Sequence, residues 1–563
     1  MAAPLSNQPV DLNDPYNRTE QIFPTLTDEQ IDRIKPFGKV QSLKKGTVLF
    51  ERGERSVDFF VVLKGFVEIY DYAADGTRVI TVHREQQFTG ELDLFNDREI
   101  LVGGRMGADG QVIRLRREQF RKLIAAEPEV NEIIMQAFIL RRMGLISHKQ
   151  ASVSVVASHQ SGDALRIERF LERNGYPLEV LDAAQPKGQQ LLQKWGVAVE
   201  QLPMVFLHNK EEVLCQPSNL ELAQALGLVE EIKENHTYDV AIIGAGPAGL
   251  SATVYAASEG LSTLLIESEA PGRQAGTSSK IENYLGFPLG VSGQGLASRA
   301  QVQAHKFGAT IALPYSVQGL DCSEQPYHIQ LNHNCAVQAK TAIIATGARY
   351  RKLGLPNEEK FEGVGIYYAA TAMEGLLCQN EEAIVIGGGN SAGQAAVFLS
   401  RYASHVHILV RGNGLADSMS NYLIQRIDAS QHITLHPNTE IEALEGERYL
   451  ARVVWKNNQT GETQTKDMRH LFLMLGAVPN TQWLSGCLQL DEKGFILTGS
   501  EVSGGEDWPT GRPRMMMETS VPGVFAAGDV RSGSTKRVAS GVGEGAITVS
   551  QLHQALAEAG DSK

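Results

Sequence analysis

At 563 residues the chain is too long for one hydrophobic core and calls for roughly three to five domains. Its 42% hydrophobic and 21% charged residues are ordinary for a globular protein. The net charge of −13 argues against a nucleic-acid backbone or an anionic membrane surface as partner, because both require clustered Lys and Arg.

The first stretch, MAAPLSNQPVDLNDPYN, has no basic segment ahead of an apolar core, and no run of about 18 apolar residues occurs anywhere. A cytoplasmic location is the expectation. Over 1–150 the chain reads as short alternating strands broken by Gly46, Gly53 and Gly65, followed by helical periodicity in REQFRKLIAAEPEVNEIIMQAFILRRMGLI. The run GTVLFERGERSVDFFVVLKGFVEIY, with FTGELDLF after it, resembles the cyclic nucleotide-binding domain, a β-roll. The resemblance implies Gly90 and Glu91 at the ribose and Arg98 near the cyclic phosphate. With Glu99 at the clamp position, a carboxylate there would repel a phosphate, which favours a ligand-free docking domain over cyclic-nucleotide binding.

Residues 151–228 give strand, helix, strand, helix, strand, strand and helix, a compact α/β unit. That order, with Pro203 in LPMVF where a cis-proline precedes a strand, resembles a thioredoxin or glutaredoxin domain. The resemblance calls for C-x-x-C at the first helix, yet Ser161 and Ala164 stand there and no cysteine occurs between 151 and 214. Dithiol chemistry is therefore absent from this unit, and a docking or structural role is expected.

The polar stretch 229–239 reads as a linker. Beyond it, YDVAIIGAGPAGLSATVYAASEGLSTLLIE contains a strand, a G-x-G-x-x-G turn at Gly244, Gly246 and Gly249 enclosing Pro247 and Ala248, a helix, a second strand and Glu267 at its end. Such a turn brings pyrophosphate to a helix N-terminus, and an acid about 20 residues on accepts the ribose hydroxyls. A second unit, EEAIVIGGGNSAGQAAVFLSRYASHVHILVRG, repeats the pattern with Gly387, Gly389, Asn390, Ser391 and Ala392. It ends on Arg411 instead of an acid, which suits a 2′-phosphate and favours NADPH over NADH.

Thr346 and Gly347 in AIIATGARY and Gly528 and Asp529 in FAAGDVRSG bracket the second unit. With PGRQAGTSSKIENYLGF and KRVASGVGEGAI, they resemble the low-molecular-weight thioredoxin reductases over Tyr238 to about residue 555. The whole chain resembles a fusion of a cyclic nucleotide-binding-like domain, a thioredoxin-like domain and such a reductase. The fold class expected is multidomain α/β, with an NAD(P)H domain at 351–478 inserted between FAD-domain segments at 229–350 and 479–563. The resemblance further implies FAD contacts at Gln274, Asn283, Arg537, Val538 and Ala539, and a homodimer.

The chemistry departs from the family. Its members carry a redox dithiol shortly before the second glycine turn, where this chain has Ala369 and Ala372. An alanine cannot exchange disulfides, so the expectation is hydride transfer from NADPH, or NADH, to FAD and then directly to an acceptor. No catalytic side chain is named, since transfer between cofactors needs geometry and not a general base. Candidate acceptors are a ferredoxin or thioredoxin-like protein, a quinone-like molecule or oxygen; the rival reading is a redox or cyclic-nucleotide sensor with little turnover. Cys378 reads as a structural thiol on a loop, His333 and Cys335 lack further metal ligands, and the five cysteines suggest no disulfide scaffold.

Overall fold

The computed structural model describes residues 15–561 apart from 56, 74–75, 91–98, 149–152, 159–160, 208–211, 231, 234–235, 277, 279–280, 282, 289, 369, 371, 417, 448, 485, 505–507 and 509–511. The chain forms two compact units: residues up to 346 with 483–489 and 497–563, and residues 347–482 with 490–496.

In the first unit, strands between Lys39 and Leu115 make two antiparallel four-stranded sheets. One has the order Lys39–Leu43, Gly110–Leu115, Phe59–Lys64, Phe88–Thr89; the other has Val48–Phe50, Gly103–Met106, Val67–Ala73, Gly76–His83. Helices Arg117–Ala126 and Pro128–Ser147 close this roll by delivering Phe120 and Phe138 onto Phe59 and Phe88, all at most 1% exposed. Arg52 and Asp71 form a buried ion pair at 2.9 Å inside the roll.

The following α/β unit has the sheet order Leu178–Asp182, Val153–Ala157, Met204–Leu207, Glu212–Cys215, with only the first pair parallel. Val153–Ala157 is buried at every position, as a central strand covered on both faces must be. Helix α1 (Gly162–Arg173) lies against it, capped by Ser161, whose hydroxyl accepts from the Ala164 amide. The Leu202–Pro203 bond is cis. Val153, Ile167, Phe170, Leu222 and Leu228 belong to the same hydrophobic cluster as Phe59, Val102 and Phe138, so buried apolar residues run continuously from the roll into this unit.

The segment read as a linker is anchored. Glu230 is 6% exposed, accepts from the Ile311 amide at 3.1 Å and lies 3.3 Å from His305. From there β1 (Thr237–Ile243), helix α2 (Pro247–Ser258), β2 (Thr263–Ile266), helix α3 (Gly293–Lys306), β3 (Thr310–Ala312), β4 (Val317–Asp321), β5 (Tyr327–Leu331) and β6 (Ala336–Ile344) build a sheet of order β3-β2-β1-β6-β5-β4.

The second unit carries its own parallel sheet. The strand Ile366–Tyr367 precedes β7 (Glu382–Ile386), helix α4 (Asn390–Leu399), β8 (His405–Leu409), β9 (Ile433–His436) and β10 (His470–Leu473), in the spatial order Ile366–Tyr367, β10, β7, β8, β9. An antiparallel meander, Thr439–Glu445, Arg452–Asn457 and Thr463–Asp467, follows β9. The chain then returns to the first unit, where β11 (Val524–Ala526) pairs with β6 and helix α5 (Val538–Asp561) packs on α2. The multidomain α/β fold with an inserted nicotinamide-type domain is thus present.

Candidate functional site: two glycine turns at strand ends

The first glycine turn leaves the C-terminal end of β1. Gly244 has φ +104°, and a Cβ there would lie 2.5 Å from the Ala345 carbonyl oxygen, so only glycine fits. A Cβ on Gly249 would lie 1.8 Å from the Gly244 carbonyl oxygen, which shows how closely α2 sits on the turn. Gly246 differs: it caps α2 with no side-chain hydrogen bond, and a Cβ there would meet nothing within 4 Å. The first amides of α2 therefore face an open cradle, which fits a phosphate group.

A second helix end strengthens this cradle. A Cβ on Gly541 in the first turn of α5 would lie 3.6 Å from the Ala248 nitrogen, and one on Gly545 only 2.3 Å from the Ala248 oxygen. The N-terminal turns of α2 and α5 consequently meet, and both helix dipoles favour an anion there. Arg537 and Ala539 are exposed and Val538 half-buried at that end of α5.

Glu267 ends β2 and is 2% exposed. Its carboxylate accepts from the Ala245 amide at 2.8 Å, the Glu269 amide at 2.9 Å and the Arg273 guanidinium at 3.1 Å. The loop beyond it carries Gln274 in the short helix Arg273–Gly276, and Asn283 is exposed further along. Thr346 and Gly347 follow β6, and Gly528 follows β11, so both lie at the strand ends that lead into the turn. The Gly528 amide donates to Glu544 at 2.7 Å, and Glu544 also pairs with Arg531 at 2.9 Å. Burial pushes the Asp529 carboxyl above its ordinary range; Lys536 opposes this and Glu544 adds to it. Arg273 and Glu544 lie inside the segments PGRQAGTSSKIENYLGF and KRVASGVGEGAI, in which Gln274, Asn283, Arg537, Val538 and Ala539 are the residues expected at the flavin.

In the second unit, Gly387 (φ +138°) repeats the role of Gly244, its would-be Cβ 2.6 Å from the Met474 oxygen. Gly389 caps α4 without a side-chain bond, Ala392 is fully buried in the third glycine's place, and Asn390 and Ser391 are exposed. Asn390 Oδ1 accepts from the Ser420 amide. Arg411, two residues past β8, has a side chain 80% exposed and lies 3.8 Å from Glu440, a loose contact that leaves its fork accessible.

Other candidates distribute differently. Glu91, Arg98 and Ala369 lie outside the described residues, while Ala372 opens the short helix Ala372–Leu377. Gly90 lines a cavity of about 40 Å³ together with His83, Thr89 and Arg141. Pockets that engulf a small ligand usually hold about 300–1,000 Å³. Burial, then the charge of Arg141, drives the His83 imidazole well below its ordinary pKa. Glu99 does not act as an unpaired carboxylate: it lies 3.7 Å from Arg55, and its amide donates to the Gly227 carbonyl of the thioredoxin-like unit. Its charge faces Arg55 within the roll, while its backbone amide ties the roll to the next unit.

The thiols bring one correction. Cys322 and Cys487 form a disulfide, with Cα atoms 6.0 Å apart across a sequence separation of 165 residues. Cys322 follows Asp321, which pairs with His328, which pairs with Gln338, which pairs with Thr237 at the start of β1. At about 3.3 Å per residue, the six steps to Ile243 put the bond about 20 Å from the glycine turn. Cys378 is fully buried, donates to the Gly375 carbonyl and is pushed up to about 11 by burial, so it is a structural thiol.

Residues 238–545 match the sequence model of the pyridine nucleotide-disulphide oxidoreductase family, and residues 40–127 match that of the cyclic nucleotide-binding domain. The chain is 37% identical to a thioredoxin reductase of Treponema pallidum over 310 residues, 55% of this chain and 94% of that protein. It is 33% identical to a thioredoxin reductase of Escherichia coli O157:H7 over 57% of this chain and 97% of that one. The crystal structure of thioredoxin reductase from Streptococcus pyogenes superposes with a TM-score of 0.51 at 31% identity, covering 57% of this chain and 99% of that one. FAD and NADPH are the cofactors of that group, and the first glycine turn has the open face that a pyrophosphate requires. With these turns on strand ends and these relatives, the chain belongs to the pyridine nucleotide-disulphide oxidoreductase family, as an FAD-containing, thioredoxin reductase-like NAD(P)H oxidoreductase that carries a cyclic nucleotide-binding domain.

Proposed function

We propose that the chain passes electrons from NADPH to an external acceptor without an internal dithiol. The observation that supports this reading is the pair Ala369 and Ala372, which the resemblance places where family members carry the redox cysteines. Bound FAD would supply the two-electron chemistry between nicotinamide and acceptor. The chain's own residues do the placing. The amides behind Gly246 and the start of α5 neutralise the flavin pyrophosphate, Glu267 orients the adenosine ribose, and Asp529 with Gly528 holds the ribityl side. Gly387 to Ala392 cradle the NADPH pyrophosphate, and Arg411 pairs with the 2′-phosphate.

Neither Cys378 nor the Cys322–Cys487 pair offers a substitute relay, Cys335 precedes β6 at the end away from the glycine turn, and Cys215 lies in the thioredoxin-like unit with no cysteine partner. Cys378 is sealed in the nicotinamide-type core, and the Cys322–Cys487 bond lies at the other end of the flavin-type sheet from the turn. The acceptor, a small redox protein or a small oxidant, must therefore reach the flavin itself. Cyclic-nucleotide regulation through the roll is the companion reading, and the described residues around Gly90 enclose about 40 Å³.

The test is an acceptor screen on purified holoprotein with NADPH and NADH as alternative donors. Rapid bleaching of the flavin band followed by turnover with a ferredoxin-like protein, a quinone or oxygen, and slow turnover with thioredoxin, is the expected outcome. Thioredoxin reduction at the rate of a dithiol reductase would overturn it. Absence of bleaching would favour a sensor.

A further inference from the structure

The thioredoxin-like unit has lost its chemistry at the N-terminal end of α1, where Ser161 merely caps the helix. Its opposite end does something specific. Arg173 closes α1 and lies 2.9 Å from Glu269, donates to the Arg273 carbonyl at 2.8 Å, and accepts at its own carbonyl from Gln294 at 2.7 Å. Asn174, 7% exposed, donates to the Glu269 carbonyl at 3.0 Å while also holding Phe170 of α1. All four bonds to the flavin-type domain fall on one loop and the helix beside it.

That loop is the one leaving Glu267. Arg273 donates to Glu267 at 3.1 Å and to Ser268 at 3.1 Å, and lies 3.8 Å from Glu269. Arg273 has φ +45°, a left-handed conformation that a non-glycine residue keeps only where its surroundings over-determine it. From the inside, the Gly272 amide donates to the Ala245 carbonyl of the glycine turn. From the outside, the hold is Arg173 and Asn174. Two carboxylates, Glu267 and Glu269, and two guanidiniums, Arg273 and Arg173, thus alternate in one network; without Arg173, Glu269 competes with Glu267 for Arg273.

We propose that the thioredoxin-like unit serves as a fixed bracket for the adenosine end of the flavin, with Arg173 as a positioning residue that acts through Arg273 on Glu267. This rests on the reading that Glu267 orients the flavin ribose. An active-site helix that has lost its thiols is thereby kept for its other end.

The experiment uses the full chain freed of flavin and titrated with FAD, following flavin fluorescence. Glu267→Ala, Arg173→Gln, Arg173→Lys and the double variant Glu267→Ala/Arg173→Gln are compared, with circular dichroism as the check on folding. Arg173→Gln is expected to weaken FAD binding at least tenfold. Arg173→Lys should recover part of that, since one ammonium can hold Glu269 or the Arg273 carbonyl but lacks the fork. The double variant should bind no more weakly than Glu267→Ala alone, because both changes remove one linked interaction. Wild-type affinity in Glu267→Ala would sink the ribose reading itself. Loss in Glu267→Ala with wild-type affinity in Arg173→Gln, or fully additive losses in the double variant, would overturn the bracket alone.

Discussion

Gly246 and Gly249 stand in one turn but answer to different constraints. A methyl on Gly249 collides with the Gly244 carbonyl, whereas a methyl on Gly246 meets no protein atom. Gly249→Ala is expected to lower stability by about 1–3 kcal/mol, an overpacking cost, measured by thermal unfolding. Gly246→Ala should leave the unfolding midpoint unchanged and weaken FAD binding at least about tenfold, ~1.4 kcal/mol. Arg411→Ala should raise KM for NADPH by roughly ten- to hundredfold, the value of a charge-assisted pair, and leave KM for NADH where it was.

The histidines of β8 and β9 set a pH dependence. His407 Nδ1 lies 2.9 Å from His436 Nε2, with Trp455 beside both rings. Burial lowers both imidazoles, His436 to about 4; His405 and Lys466 act in the same direction, and Glu382 opposes it at His407. Folded values below the unfolded value of about 6.5 mean that the unfolded chain takes up protons first on acidification. Stability should be level above about pH 6.5, fall between there and about pH 4, and then level again as this pair is saturated. Thermal midpoints recorded across that range check it, and His436→Gln should flatten the slope.

At the scale of elements, the crossing of α2 and α5 and the disulfide matter most. Cys322→Ser is expected to cost about 2–4 kcal/mol in oxidised protein and nothing in excess reductant, since the bond acts by closing a long loop of the unfolded chain. Equal midpoints with and without reductant would contradict this. The glycine turns were legible in the sequence because their signal is local: strand, turn, helix and strand lie within thirty-odd residues, and each glycine has a steric reason. The disulfide was not legible, because its partners are 165 residues apart and become neighbours only through the pairing of β4, β5, β6 and β1. The surroundings of Glu99 were illegible for the same reason. Its partner Arg55 is in the same roll, but Gly227, the surface that fixes its place, belongs to the next unit. The segment read as a linker looked polar because Glu230 is polar; nothing nearby announces that His305 and the Ile311 amide enclose it.

At the scale of the molecule, domain order, the inserted nicotinamide-type domain and the family could be read from motif spacing, since each motif carries its own context. The clamp of Arg173 and Asn174 on the loop after Glu267 could not, because it joins residues about a hundred positions apart that have no signature. The core joining the roll to the thioredoxin-like unit likewise draws on both, from Phe59 and Val102 to Ile167 and Leu228. A polypeptide starting near residue 152 or ending near 150 would cut this cluster and expose apolar surface at the break. The opening 228 residues are thus joined through that cluster and the Glu99–Gly227 bond, and removing them would take away the Arg173 hold on the loop after Glu267 along with the roll.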